Sequence, residues 1–208
     1  MARMDVVSRT AANRRLLADF FDGLEEDQLD ARSLCDAWSV REVLGHLVMP
    51  VTVGLGGFVV QIVRARGSID RASEALAARL AERPVAELTG LLREHADLKV
   101  PRPMGQLADT CLHLRDCARP LGLATDADLA DWRAVLDWFT ASRASGFVDR
   151  RTLPGLALRA TDQDWSWGDG TEVAGPSEAL AMTVSGRTAA LDDLTGPGVV
   201  VLRERITR

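Results

Sequence analysis

Three histidines occur in the 208 residues, and one of them, His46, lies in the otherwise apolar run "VREVLGHLV" (residues 40–48). On a helix its side chain would lie on the flank of the apolar stripe that contains Val43 and Leu47. Both a hydrogen-bonded core histidine and a metal ligand fit this position. His95, in "LLREHADL", has charged neighbours and is predicted to be solvated.

The third histidine belongs to an acid–histidine pair. Asp109 and His113, in "ADTCLHLRD", are four residues apart, which places both side chains on one helix face, where they could bind one ion. Both point away from the centre of the apolar stripe, so an exposed acid–histidine pair is the alternative. Asp116 and Glu42 could orient the imidazoles, or form surface salt bridges instead.

The cysteines favour a reducing environment. Cys35, Cys111 and Cys117 are odd in number and contain no Cys-x-x-Cys pair, so a disulfide framework is not expected. None has an activating base nearby in sequence, and buried free thiols are the commoner case. The sequence contains neither a Gly-x-Ser-x-Gly elbow nor a phosphate-binding loop.

The composition is that of a soluble globular protein, with 47% hydrophobic and 26% charged residues. A net charge of -5 argues against nucleic acid or an anionic membrane as the main partner. The N-terminus has no secretion signal, and the apolar run at 47–63 is short for a membrane span and contains Pro50. We expect a cytoplasmic protein. Of the 25 Lys and Arg residues only Lys99 is lysine, which indicates a GC-rich genome.

The elements that must position these residues are mostly helical. Ser39 and Glu42 form a capping box that starts a helix, predicted to run to about residue 66 with a bend at Pro50. Further helices are predicted at residues 4–24, at 68–98 with a break at Pro84, at 104–121 and at 126–144, which together indicate an antiparallel bundle.

The chain changes character after about residue 145. The Gly-Asp-Gly sequence at 168–170 predicts a β-hairpin, and Pro176 fits the first position of a helix that ends near Ser185. The pattern at 197–207 fits a strand or a helix equally. We therefore expect a helical bundle with the candidate metal site at 1–147 and a small α+β domain at 148–208.

Three segments carry a family resemblance. "CDAWSVREVLGHL", "ADTCLHLRDCARPLG" and "ATDQDWSWGDG" followed by "GPSEALAMTVSGR" resemble, in order, signature blocks of the mycothiol-dependent maleylpyruvate isomerase family of the DinB superfamily. The resemblance covers essentially the whole chain. It implies a mainly α fold: a DinB-like antiparallel four-helix bundle followed by the small α+β domain.

The resemblance also implies a divalent metal, usually zinc, bound by His46, Asp109 and His113. Aspartate replaces the glutamate that the isomerase has at position 109. Arg187 is the match for an arginine that binds the thiol cofactor. Nickel, iron and manganese also suit a site of two histidines and a carboxylate. Two neutral imidazoles and a carboxylate leave one position of a tetrahedral zinc open.

The implied activity is that of a transferase or isomerase that uses mycothiol, a low-molecular-weight thiol, to attack a small electrophile. An actinobacterial host fits the arginine-rich composition. The expected partners are the substrate and the thiol, with the chain as monomer or homodimer. Two alternatives remain at this point: a non-catalytic protein that binds a small ligand or partner, and a metal-dependent hydrolase that needs no thiol.

Overall fold

The computed structural model describes residues 5–35, 38–125, 128–141, 144, 146–149 and 151–207. These residues are mainly helical, with a small three-stranded sheet in the C-terminal part. This arrangement confirms the predicted fold class. The chain divides into two compact units, residues 1–125 and 126–208.

The first unit is a helical bundle. Helix α1 packs on α6 and α7, and α3 packs on α5, α6 and α7. Its core consists of apolar side chains from these helices, including Leu17, Phe21, Val43, Leu44, Leu76, Leu88, Leu92 and Leu114. Among the described residues, its helices are α1 Val6–Asp22, α2 Glu26–Asp30, α3 Val40–Thr52, α4 Leu55–Arg64, α5 Ile69–Ala81, α6 Val85–Glu94 and α7 Pro103–Ala118.

The start of α3 follows the predicted capping box. The Ser39 side chain accepts a hydrogen bond from the amide of Glu42, and the Glu42 carboxylate accepts one from the amide of Ser39. These two bonds satisfy amides that a helix end leaves without partners.

The end of α3 differs from the prediction of one long helix bent at Pro50. The helix ends at Thr52, Val53 is extended, and α4 begins after Gly54. Pro50 has no amide hydrogen to donate to the carbonyl one turn earlier, which weakens the last turn of α3. The apolar run at 47–63 is thus divided between two helices, and no helix among the described residues is long and apolar enough to span a membrane.

Close packing of α3 on α5 depends on Gly45. A Cβ atom at this position would lie 2.3 Å from the carbonyl oxygen of Ala77 on α5. Because no larger residue fits there without moving backbone, Gly45 sets the distance between the helix that carries His46 and its neighbour α5.

The second unit contains a small mixed sheet. Strand β1 lies between β2 and β3, antiparallel to β2 and parallel to β3. Helix α9 packs on α8, and residues 197–207, which the sequence pattern left open, form helix α10. The elements are α8 Leu129–Thr140, β1 Leu156–Ala160, β2 Ser166–Trp167, β3 Thr171–Gly175, α9 Ser177–Val184, a 3-10 helix Thr188–Asp193 and α10 Gly198–Ile206.

The predicted hairpin at Gly-Asp-Gly is wrong. The strands on either side of it, β2 and β3, flank β1 on opposite edges, and the antiparallel partner of β2 is β1. Gly168 has a φ of +80°, and a Cβ atom on Gly170 would lie 2.0 Å from the carbonyl oxygen of Gly155. The glycines therefore allow the chain to pass close to the start of β1. Glycine is needed for such a close approach just as it is for a tight turn, so the sequence alone did not separate the two.

Along the chain, the division between the compact units falls after residue 125, and α8 packs with α9 in the second unit. The sequence placed a domain boundary between residues 147 and 148. That boundary, as the limit of an independently folding domain, stays a prediction.

Pro176 was predicted to be the first residue of a helix. It is instead the N-cap of α9, one residue before the first helical position.

Candidate metal centre

The His46 side chain on α3 contacts α5 and the segment before α3. Its Nδ1 lies 3.3 Å from the hydroxyl of Ser73 on α5, and the Trp38 ring lies beside it with centroids 4.7 Å apart. Burial disfavours the charged imidazole and His113 lies close, so the pKa of His46 is lowered to about 3. A histidine that is neutral at physiological pH keeps a lone pair for a metal ion.

Helix α7 supplies three further polar groups to this region. His113 is 7% exposed; its Nδ1 lies 3.0 Å from the carboxylate of Asp116, and its Nε2 lies 3.9 Å from that of Asp109. The His46 and His113 rings are 4.8 Å apart. The alternative of an exposed acid–histidine pair is therefore wrong, because His113 is buried and the Asp109 side chain is only 25% exposed.

The charge state of His113 depends on its neighbours. Burial by itself lowers the pKa of His113, but hydrogen bonding and electrostatic attraction to Asp116 and Cys35 outweigh this effect and raise the pKa to about 10. A metal ion that binds His113 must therefore displace a proton from the imidazole.

The three residues that the resemblance implies as ligands come together in space. Each of His46, Asp109 and His113 offers one donor atom, and the three atoms all lie within 4.8 Å of one another. In a tetrahedral zinc site, bonds of about 2.0–2.2 Å separate neighbouring donors by roughly 3.3–3.6 Å. A modest closure of the three side chains is therefore enough for one ion.

In each imidazole, the Nδ1 atom already has a polar partner. Ser73 faces Nδ1 of His46, and Asp116 faces Nδ1 of His113, which leaves Nε2 of both rings for a ligand. Metal-binding histidines generally carry such a partner on the second nitrogen. The donor set and its surroundings fit a divalent metal ion.

Of the two residues considered for orienting the imidazoles, Asp116 does so and Glu42 does not. Asp116 is fully buried beside His113. Glu42 is occupied with the amide and hydroxyl of Ser39 at the start of α3. Ser73, from another helix, contacts His46 instead.

Cys35 is a residue of this centre that sequence reasoning missed. Its thiol donates a hydrogen bond to the Asp116 carboxylate at 3.2 Å and lies 3.5 Å from Nδ1 of His113. The amide of Leu34 donates to the backbone carbonyl of Asp116, which holds the segment against α7. Cys35, His113 and Asp116 form a second set of three donor atoms within 4.8 Å. The only sequence signal was its place in the same block as His46.

The remaining candidates belong to neither donor set. Cys111 and Cys117 are buried cysteines without a disulfide, as predicted, and burial raises the pKa of Cys117. His95 ends α6, and its carbonyl accepts a hydrogen bond from Arg14. Arg187 belongs to the second unit, where its guanidinium donates to the carbonyl and hydroxyl of Ser185.

A protein-family model matches most of this chain. The model of the mycothiol maleylpyruvate isomerase N-terminal domain matches residues 10–162, well over half of the chain. The chain belongs to this family. No curated protein is similar enough in sequence to be matched.

Two solved structures of the mycothiol-dependent maleylpyruvate isomerase share the family fold with this chain. The first superposes with a TM-score of 0.57 at 12% sequence identity and covers 93% of this chain and 92% of that one. A histidine-to-alanine mutant of that enzyme gives a TM-score of 0.56 with the same identity and coverage. At this identity the likeness establishes the fold.

Proposed function

We propose that this protein is a metal-dependent isomerase or S-transferase that uses mycothiol to attack a small electrophilic substrate. The observation that carries the proposal is the convergence of His46, Asp109 and His113, with Ser73 and Asp116 behind the imidazoles. Family membership supports the choice of thiol, since the similar solved structures are of a mycothiol-dependent maleylpyruvate isomerase.

Each residue of the centre has a distinct part. His46, Asp109 and His113 would hold the ion, with zinc the best fit to two nitrogen donors and one oxygen donor. The ion would supply the Lewis acidity that turns a thiol into a thiolate near neutral pH. Ser73 and Asp116 keep the two imidazoles in one orientation, and Trp38 forms an apolar wall beside them.

Arg187 is proposed to bind a polar group of the thiol. Its side chain is partly buried and is held in place by hydrogen bonds to Ser185. A guanidinium group fixed in this way donates to carboxylate, carbonyl or hydroxyl oxygens with little loss of side-chain entropy. An Arg187→Lys variant would weaken mycothiol binding and leave the metal content unchanged.

The metal part of the proposal is tested by metal analysis of protein purified without chelators or a histidine tag. We expect about one zinc per chain, lost in His113→Ala and retained in the matched control His95→Ala. Because the Cys35 thiol could also donate to an ion, His46→Ala and Asp109→Ala are compared in Cys35→Ser protein, where both should lose the metal. Wild-type protein that never takes up a divalent ion would contradict the proposal.

The thiol part is tested separately. Metal-loaded protein should bind mycothiol in a calorimetric titration and should convert an electrophile such as a cis-unsaturated keto acid only when the thiol is present. Conversion without thiol would favour the hydrolase alternative. Metal-loaded protein that neither binds mycothiol nor changes its melting temperature with it would overturn the thiol dependence.

A further inference from the structure

The carboxylate behind His113 does not face the imidazole alone. Asp116, His113 and Cys35 form a closed triangle of donor atoms: Nδ1 to Oδ2 is 3.0 Å, Sγ to Oδ2 is 3.2 Å and Sγ to Nδ1 is 3.5 Å. Asp116 is fully buried and His113 nearly so, whereas Cys35 is partly exposed. An ion could therefore reach the triangle from the side of the thiol.

These separations are close to those of a metal site, and an ion would need only a small expansion of the triangle. Zinc bonds of about 2.0–2.2 Å to nitrogen or oxygen and about 2.3 Å to sulfur place neighbouring ligands of a tetrahedral ion roughly 3.3–3.6 Å apart. All three sides of the triangle lie within a few tenths of an ångström of that range. The first donor set is wider, with 3.9 Å between Nε2 of His113 and the Asp109 carboxylate.

We propose that Cys35, His113 and Asp116 form a second, thiolate-containing metal site that competes with His46, Asp109 and His113 for a divalent ion. The two sets share one imidazole but use its opposite nitrogens, Nδ1 in the second set and Nε2 in the first. A neutral imidazole has a single lone pair, so His113 serves one set at a time. The second site goes beyond the proposed function and does not require it to be correct.

The donor types define which ions the second site takes. A thiolate favours zinc and other thiophilic ions such as cadmium or cuprous copper over magnesium, calcium and manganese. The segment that carries Cys35 is already fixed: Leu34 bonds to the backbone of Asp116, and the Ser33 hydroxyl accepts from the Cys35 amide. An ion held there withdraws His113 from the first set. This consequence rests on the proposed function: the protein would then be metal-bound and inactive.

Cobalt(II) separates the two sites, because it replaces zinc and a thiolate ligand produces an intense sulfur-to-cobalt charge-transfer band in the near ultraviolet. We expect this band when the metal-free full-length protein is titrated with cobalt. The band should disappear in Cys35→Ser and persist in Cys111→Ser, which removes a thiol from the same region of the chain without touching the triangle. It should become stronger per bound cobalt in His46→Ala, where the competing set has lost a ligand.

Each result decides between the sites. Bound cobalt with no sulfur band in wild type, or a band unchanged in Cys35→Ser, would overturn the second site. If, in addition, His46→Ala bound no cobalt, the first site would stand and only the further inference would fail. If Cys35→Ser bound no cobalt and His46→Ala bound it as wild type does, the second site would stand and the proposed function would fail. Circular dichroism confirms that each variant is folded.

Discussion

His113 belongs to both donor sets of this centre, because its two ring nitrogens face different partners. Nδ1 faces Asp116 and Cys35, whereas Nε2 faces Asp109 across from His46. When the protonated Nδ1 donates a hydrogen bond to Asp116, the lone pair is on Nε2 and the first donor set is complete. On the two proposed sites, the tautomer of this buried side chain would therefore select which donor set binds an ion.

The Asp116 carboxylate should control metal affinity at the first set. In Cys35→Ser protein, where the second set lacks its sulfur, we expect Asp116→Asn to lower zinc affinity by about 10- to 100-fold, because an amide holds the Nδ1 proton more weakly than a carboxylate. The affinity is measured by competition with a chromophoric chelator. Asp97→Asn, which changes an exposed carboxylate paired with Arg15, is the matched control. Equal affinities in the two variants would rule out this orienting role.

Sequence reasoning found the residues of the centre that follow a helical spacing or a family block, namely His46, Asp109 and His113. Asp116 was found as a candidate because it lies one turn from His113. Cys35 and Ser73 were missed as members of the centre, since they contact histidines that are 78 and 27 positions away in the chain. Such contacts depend on how α3, α5 and α7 pack, which the spacing of residues on one helix does not encode.

At the scale of elements, the close crossing of α3 and α5 brings Ser73 within hydrogen-bonding distance of the His46 ring. Gly45 makes this close crossing possible. Gly45→Ala would place a methyl group 2.3 Å from the Ala77 carbonyl oxygen. We expect a loss of about 1–3 kcal/mol in the free energy of unfolding, because the atom in contact belongs to the backbone and cannot rotate away. Chemical denaturation of the metal-free protein measures the change.

The control for this substitution is Gly90→Ala on α6. Gly90 is an exposed glycine inside a helix, and an added Cβ atom there meets nothing within 4 Å. Alanine should raise the free energy of unfolding by up to about 1 kcal/mol through its better helix propensity. If Gly45→Ala also raised stability, the close approach of α3 and α5 would not be a real constraint.

Element prediction succeeded where local bonds decide and failed where distant packing does. The capping box of Ser39 and Glu42 is closed by atoms three residues apart, and the structure reproduces it. The end of α3 after Pro50 and the path of Gly168–Gly170 depend on what lies nearby in space. A glycine that permits a close backbone approach carries the same sequence signal as a glycine in a hairpin turn.

For the whole molecule, a metal ion bound to the folded state alone adds its binding free energy to stability. The first unit contains both donor sets, and each draws on helices or segments that lie apart in sequence, so neither set persists in an unfolded chain. An ion at 100 times its dissociation constant contributes about 2.7 kcal/mol. Metal loading should therefore be visible as a change in thermal stability.

We expect zinc to raise the apparent melting temperature of the metal-free wild type by roughly 5–10 °C when zinc is at about 100 times its dissociation constant. Differential scanning calorimetry before and after addition of a chelator measures the shift. His113→Ala should abolish it, because both sets need this imidazole, whereas His95→Ala, which changes a histidine outside both sets, should keep it. A shift that survived in His113→Ala would mean that zinc stabilises the protein from another site, and the role of His113 as the ligand shared by both sets would then be wrong.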